Sequence, residues 1–119
     1  MVNEADQREV RRFYIIDAFE SETIRAWQGH KREQKWFYPI KGKGLLKALD
    51  MLDYRDSAMQ AKVSGFILEE RNPAVLHLPG AYYNGIQALA PGFRLLVFSD
   101  FNLEDSEQDD FRLHLDEFS

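Results

Sequence analysis

The chain has 119 residues, 45% of them apolar and 13% aromatic, with a formal net charge of −5. That is the length of one domain with enough apolar content for its own core, which excludes wholesale disorder and a disulfide-stapled miniprotein. Cysteine is absent, which removes thiolate metal sites and thiol nucleophiles, and no apolar run approaches the roughly 18 residues of a membrane span.

Met1 to Arg12 is polar and charged, unlike the basic-then-apolar pattern of a secretory signal. A soluble, cytoplasmic chain forming one domain over residues 1–119 is expected, with residues 1–10 flexible. Phe13 to Asp17 is apolar and β-prone, Thr23 to Trp27 alternates, and Lys35 to Ile40 carries Trp36, Phe37 and Tyr38. Gly42 and Gly44 mark a turn before Leu45 to Leu49. Arg55 to Ala61 is the one short helical or loop insert. Further strands are expected at Val63 to Leu68, Ala74 to Leu78 and Ile86 to Leu89, then at Phe93 to Phe98 after the Pro91-Gly92 turn. Phe101 to Gln108 suits an acidic loop or a first helical turn, and Asp109 to Phe118 returns to an apolar pattern that packs on the body. Many short strands at this spacing predict an all-β sandwich or barrel.

A small barrel has room for one ligand in its mouth, so inward polar residues are where chemistry is sought. Residues two apart on a strand share a face, which places Gln28 with His30, and Lys35 with Phe37 and Pro39. Charge is unevenly spread. Between Arg25 and Lys47 seven basic residues stand against Glu33 alone, and from Asp100 to Ser119 eight acidic residues stand against Arg112. A net-acidic chain does not neutralise the many phosphates of a nucleic acid, and its local basic patch suits a small anionic ligand. The lysines also read simply as a solvated strand surface, and Glu104 to Asp110 as a solvated loop. Trp36, Phe37 and Tyr38 read as core aromatics, one of which can stack on a base or sugar ring. Tyr82 and Tyr83 alternate, so one of them can line a cavity.

Four segments in order resemble the sugar-nucleotide cupins, that is, the dTDP-4-keto-6-deoxyhexose 3,4-ketoisomerases and the dTDP-4-dehydrorhamnose 3,5-epimerases. Arg25-Ala26-Trp27-Gln28-Gly29-His30-Lys31, followed by Lys35 and the strand Trp36 to Gly42, lies without a gap on the ketoisomerase pattern R-G-x-H-A-H-K. Leu76 to Gly85 resembles both L-x-I-P-x-x-x-W-H and the epimerase P-P-G-F-A-H-G. Arg12-Phe13-Tyr14-Ile15 resembles R-V-Y-Y-I, and Asp110-Phe111 through Asp116-Glu117-Phe118 resembles D-Y…D-E-F. Gln28 and Asn84 stand where the family carries histidines, and Lys35 falls where the 3,5-epimerases carry a lysine.

The resemblance implies a cupin-type (jelly-roll) β-barrel with a short packed C-terminal segment. It also implies an isomerase or epimerase that removes the proton beside the ketone of a dTDP-4-keto-6-deoxyhexose, through an enolate, for polysaccharide biosynthesis. His30 is then the base, Lys35 the enolate stabiliser and Tyr82 the acid, with Arg25 on the diphosphate and Gln28, Tyr38, Tyr83 and Asn84 binding substrate. The alternative is a cupin that binds sugar nucleotides without turnover, having lost the family histidines. A homodimer is expected, with the strand Arg12 to Asp17 pairing with a partner's sheet. No cofactor is expected and no metal either. His30 and Glu33 are the only remnants of the metal-binding cupin pattern, and a catalytic transition metal normally takes about three protein ligands.

Overall fold

The computed structural model describes residues 9–17, 24–56 and 61–113. In chain order these form β1 (Arg12–Ile16), β2 (Ile24–His30), β3 (Lys35–Lys41), β4 (Lys43–Asp50), α1 (Met51–Asp56), β5 (Val63–Glu69), β6 (Leu76–Leu78), β7 (Tyr82–Ala88), β8 (Arg94–Ser99), α2 (Leu103–Glu107) and β9 (Phe111–Arg112). The strands make two sheets, β1-β8-β3-β6 and β5-β4-β7-β2-β9, in which every recorded pairing is antiparallel. The expected all-β architecture is the one observed, and it is a jelly-roll barrel.

Alternation builds the core. Phe37 of β3, Leu95 and Val97 of β8, Leu46 and Ala48 of β4, and Ile86 and Ala88 of β7 point between the sheets and form one buried cluster. Each large apolar side chain so buried is worth about 1.5–3 kcal/mol. Gly44 lets the Phe93 ring cap one end of this core, because a Cβ there would lie only 2.2 Å from Phe93 Cε2. Trp27 and Leu49 anchor a second cluster with Tyr54 and Tyr83 packed against it.

Several boundaries differ from the sequence expectation, each for a physical reason. β7 starts at Tyr82 rather than Ile86. Asn84-Gly85, which reads as a turn, is instead mid-strand, with Asn84 opposite Gln28 on one side and Ala48 on the other. Two-sided pairing has overridden local turn propensity. The helix α1 begins at Met51, ahead of the expected Arg55, because Asp50 Oδ1 accepts from the amides of Leu52 (2.8 Å) and Asp53 (3.0 Å). Residues 57–60 of that insert lie outside the described residues.

Register in β2 shifts between Arg25 and Gln28, so these two residues, three apart, both face the interior side opposite Ile86 and Asn84. β1, expected to pair with a partner's sheet, pairs instead with β8 of its own chain, from Arg12 opposite Ser99 to Ile16 opposite Leu95. The described part of the C-terminal segment, as far as Leu113, packs on the body, with β9 joining β2 through Phe111 opposite Gly29. His114 and Asp116 to Phe118 lie outside the described residues, as do residues 1–8 of the stretch expected to be flexible. Among the described residues no helix is long and apolar enough to cross a membrane.

Candidate functional site

Between the two sheets lies a cavity of about 400 Å³, lined by residues of β1, β2, β3, β7 and β9. Its polar and charged lining is Arg25 and Gln28 from β2, Lys35 from β3, Asn84 from β7, Arg112 from β9 and the Tyr14 ring from β1. Three of these are cations, and none of the described lining residues is a carboxylate. Ile16, Phe37 and Ile86 supply apolar wall.

Lys35 sets the character of the site. It is buried, 4% exposed, because β3 alternation turns it inward together with Phe37 and Pro39. Its ammonium donates to Gln28 Oε1 at 3.4 Å and lies 5.9 Å from the Tyr14 ring centre, and among the described residues it has no carboxylate partner. A buried ammonium in that state favours an anion placed against it. Gln28 is fixed in turn, since its side chain also hydrogen-bonds Asp110, while Asn84 Nδ2 donates to its carbonyl at 3.2 Å. Arg112 holds Asp110 with contacts of 2.8 and 3.2 Å, and this pairing keeps the Asp110 carboxyl below the ordinary value.

His30 is buried on the same strand two residues beyond Gln28, 3% exposed, and does not itself line the cavity. Its Nδ1 lies 2.6 Å from the Asp109 carbonyl oxygen and 3.4 Å from Glu33 Oε1. A carbonyl only accepts, so in the neutral ring Nδ1 carries the hydrogen and Nε2 keeps its lone pair. Nε2 has no hydrogen-bond partner among the described residues. Burial, and after it the nearby Lys35 ammonium, lowers the His30 pKa from the ordinary 6.5, against the opposing effects of the Asp109 carbonyl, Glu33 and the Asp109 carboxylate. The imidazole is thus neutral at neutral pH, the form that can accept a proton.

The loop that presents His30 and Lys35 is held by carboxylates from far along the chain. Asp109 accepts from the amides of Lys31 (3.0 Å), Arg32 (2.9 Å) and Glu33 (2.9 Å), and Asp100 accepts from the Gln34 amide at 2.7 Å. Burial disfavours ionised Asp109, but these amides outweigh it and hold the carboxyl below its ordinary value. Glu33 is fully buried, ion-paired to Arg12 at 3.3 Å, and accepts from the hydroxyls of Ser99 and Ser106.

Of the residues expected from sequence, the structure gathers Arg25, Gln28, Lys35 and Asn84 around the cavity and sets His30 beside them. Tyr82 lies opposite His30 in register and packs against the main core without lining the cavity. Tyr83 points to the other face, where its ring meets Tyr54 edge-on at 6.0 Å. Tyr38 is exposed on the outer face of the four-stranded sheet. His77 is on that outer face too, stacked on Trp36 at 5.0 Å and 2.7 Å from Gln34 Oε1.

Three residues at or near the site were not singled out for it from sequence. Tyr14 was legible through the β1 alternation that sets it with Arg12 and Ile16. Asp109 sits in a stretch that reads locally as a solvated acidic loop and Arg112 in the apolar-patterned tail after it, and only their long-range contacts give them a place.

No family model matches this chain. Among curated proteins it is 32% identical over 88 residues to the "Probable low-salt glycan biosynthesis epimerase Agl13" of Haloferax volcanii; the match covers 73% of this chain and 55% of that protein, little more than half its length. Its fold is shared with the dTDP-4-dehydrorhamnose 3,5-epimerase of Sulfolobus tokodaii (TM-score 0.76, 20% identity, 93% of this chain and 62% of that one). It is shared also with the QdtA sugar 3,4-ketoisomerase of Thermoanaerobacterium thermosaccharolyticum, solved in complex with TDP (TM-score 0.71, 16% identity, 92% of this chain and 71% of that one).

Proposed function

Because this chain is related to the sugar-nucleotide cupins, in fold and in sequence, we propose that it is a nucleotide-sugar isomerase or epimerase acting on a dTDP-4-keto-6-deoxyhexose. The observation that carries the proposal is the buried Lys35 ammonium, without a carboxylate partner among the described residues, in a cavity whose described lining holds three cations and no carboxylate. In such surroundings a negative charge developing on a ketone oxygen is stabilised without reorganisation, an effect worth about 10²–10³ in rate when one such donor is removed.

In the proposed reaction the C–H bond next to the ketone breaks and its proton passes to His30 Nε2. The bond's electron pair forms the carbon–carbon double bond, and the carbonyl oxygen becomes the enolate held by Lys35. For epimerisation a proton returns to the same carbon from the other face and the enolate reverts to the ketone. For ketone migration a proton is added to the former carbonyl carbon while the neighbouring hydroxyl gives up its proton and becomes the new carbonyl. A tyrosine is the acid of this scheme; Tyr82 faces inward, and Tyr14 is the one tyrosine among the described lining residues. Gln28 and Asn84 donate neutral hydrogen bonds, and Arg25 grips the diphosphate. Neutral His30 with a free Nε2 has the protonation state this role requires.

Incubation with dTDP-4-keto-6-deoxyglucose in deuterated water tests the reading. Deuterium at C3 or C5 is the expected result for an epimerase, and deuterium at C4 with the ketone moved to C3 is the expected result for an isomerase. Binding of the nucleotide sugar with no deuterium gained identifies the second reading, a binding cupin, which the amides at Gln28 and Asn84 favour. No binding at all removes both.

A homodimer is proposed with it. The outer face of the four-stranded sheet leaves Phe13 69% and Ile15 51% exposed, with Tyr38 and Ile40 also exposed on β3, an apolar face of the kind a partner covers. Light scattering at micromolar concentration should return twice the 13.9 kDa chain mass; the single-chain mass would refute the dimer.

A further inference from the structure

We propose that Ile16, Phe37 and Ile86 form a hydrocarbon wall that recognises the C6 methyl group of the sugar, so that the site selects 6-deoxy sugars over their 6-hydroxy counterparts. The inference rests on the cavity being a sugar-nucleotide site, and it names the side chains that set its specificity.

Strand alternation gives the cavity two tiers. Residues two apart on a strand share a face, and the inward residues of three strands change character in one step. On β1 Tyr14 is followed by Ile16, on β3 Lys35 by Phe37, and on β7 Asn84 by Ile86, and all of these line the cavity. The polar tier centres on Lys35. Its ammonium donates to Gln28 Oε1 at 3.4 Å, Gln28 stands opposite Asn84 in register, and the Tyr14 ring centre is 5.9 Å from the ammonium. The apolar tier belongs to the main core, where Phe37 and Ile86 are buried at 1% and 4% exposure and Ile16 packs against them. Two strand residues span about 6.5 Å, a distance that a single sugar ring bridges.

A ring whose C4 ketone oxygen meets Lys35 presents its two neighbouring carbons to different surroundings. C3 carries a hydroxyl, which suits the amides of Gln28 and Asn84. C5 carries C6, which is left to the hydrocarbon tier. A methyl group there removes apolar surface from water at no polar cost. A hydroxymethyl brings a hydroxyl that needs a partner, and none of the three wall side chains has a polar atom. Arg25, in register opposite Ile86, is committed to the diphosphate in this site. A buried hydroxyl without a partner disfavours the hydroxylated sugar by roughly tenfold to a hundredfold. The methyl group of thymine is the other apolar substituent of such a ligand, but it lies beyond the diphosphate, at the far end from the ketone.

Calorimetry with stable nucleotide sugars tests this without turnover. The wild type is expected to bind dTDP-6-deoxyglucose at least about tenfold more tightly than dTDP-glucose, which differs only by the oxygen on C6. Ile86→Thr, or Ile16→Thr where the first does not give a native circular dichroism spectrum, places a hydroxyl on the wall. Either is expected to cut that ratio to about threefold or less. A general loosening of the core lowers both affinities together, so their ratio reports recognition and not stability. Equal affinities in the wild type, or an unmoved ratio in the folded variant, overturns the proposal and leaves the sugar-nucleotide reading standing. A variant that alters the preference between dTDP and dUDP, but not that between the two sugars, assigns the wall to the base and also overturns it. A wild type that binds neither nucleotide sugar removes the sugar-nucleotide reading itself, and the wall's role with it.

Discussion

Replacing His30 with asparagine should reduce deuterium wash-in from solvent into dTDP-4-keto-6-deoxyglucose by about 10²–10⁴-fold, the usual worth of a positioned general base. That corresponds to about 3–5 kcal/mol of transition-state stabilisation. Asparagine can still hydrogen-bond but accepts no proton at neutral pH, so the loss should fall on kcat. Affinity for dTDP, measured by calorimetry, should stay within about twofold, because the proposed phosphate ligand is Arg25, which lines the cavity, and not His30. A variant that binds dTDP normally and still exchanges at the wild-type rate would place the base elsewhere.

The second large effect is on stability. Glu33→Ala should lower unfolding free energy by about 3–5 kcal/mol, because a fully buried carboxylate is removed from between a guanidinium and two hydroxyls. Arg12 is left half-buried with an 18% exposed side chain and no counter-charge from Glu33, and the Ser99 and Ser106 hydroxyls lose their acceptor. Glu33→Gln keeps the shape and one acceptor, so it should cost less. For a domain of this size the loss in the alanine variant corresponds to a fall of about 10–20 °C in Tm, readable by thermal denaturation followed by circular dichroism. An unchanged Tm in Glu33→Ala would mean that the pairing of β1 to the β3 loop contributes nothing to the fold.

Much of this architecture was legible in the chain because its information is local. Alternation over Lys35 to Ile40 put Lys35 on the same face as Phe37, and both are buried there. The gap-free run from Arg25 to Lys35 brought Arg25, Gln28 and Lys35 to one cavity. What stayed hidden is non-local. Asp109 reads as one more acid in a solvated stretch, since nothing near it in sequence reveals the three amides it accepts from. Glu33 reads as the lone acid of a basic stretch and a remnant of a metal-binding pattern, and nothing near it in sequence reveals Arg12 and the two serines that close over it. Tyr38, Tyr82 and Tyr83 show the limit of residue-type reasoning. Strand phase, not the phenol, decides that Tyr38 meets solvent, Tyr83 meets Tyr54, and Tyr82 turns to the core. The Asn84-Gly85 pair is the clearest local signal overruled by tertiary structure, a turn dipeptide held straight between two neighbouring strands.

A crystal structure of the protein with dTDP-4-keto-6-deoxyglucose decides whether the ammonium at position 35 and the imidazole at position 30 act on one sugar. The expected complex has the ketone oxygen within hydrogen-bond reach of Lys35 Nζ and the adjacent carbon about 3–3.5 Å from His30 Nε2. A sugar ring lying outside the cavity, or one whose ketone faces away from Lys35 with His30 still sealed from it, would contradict that arrangement.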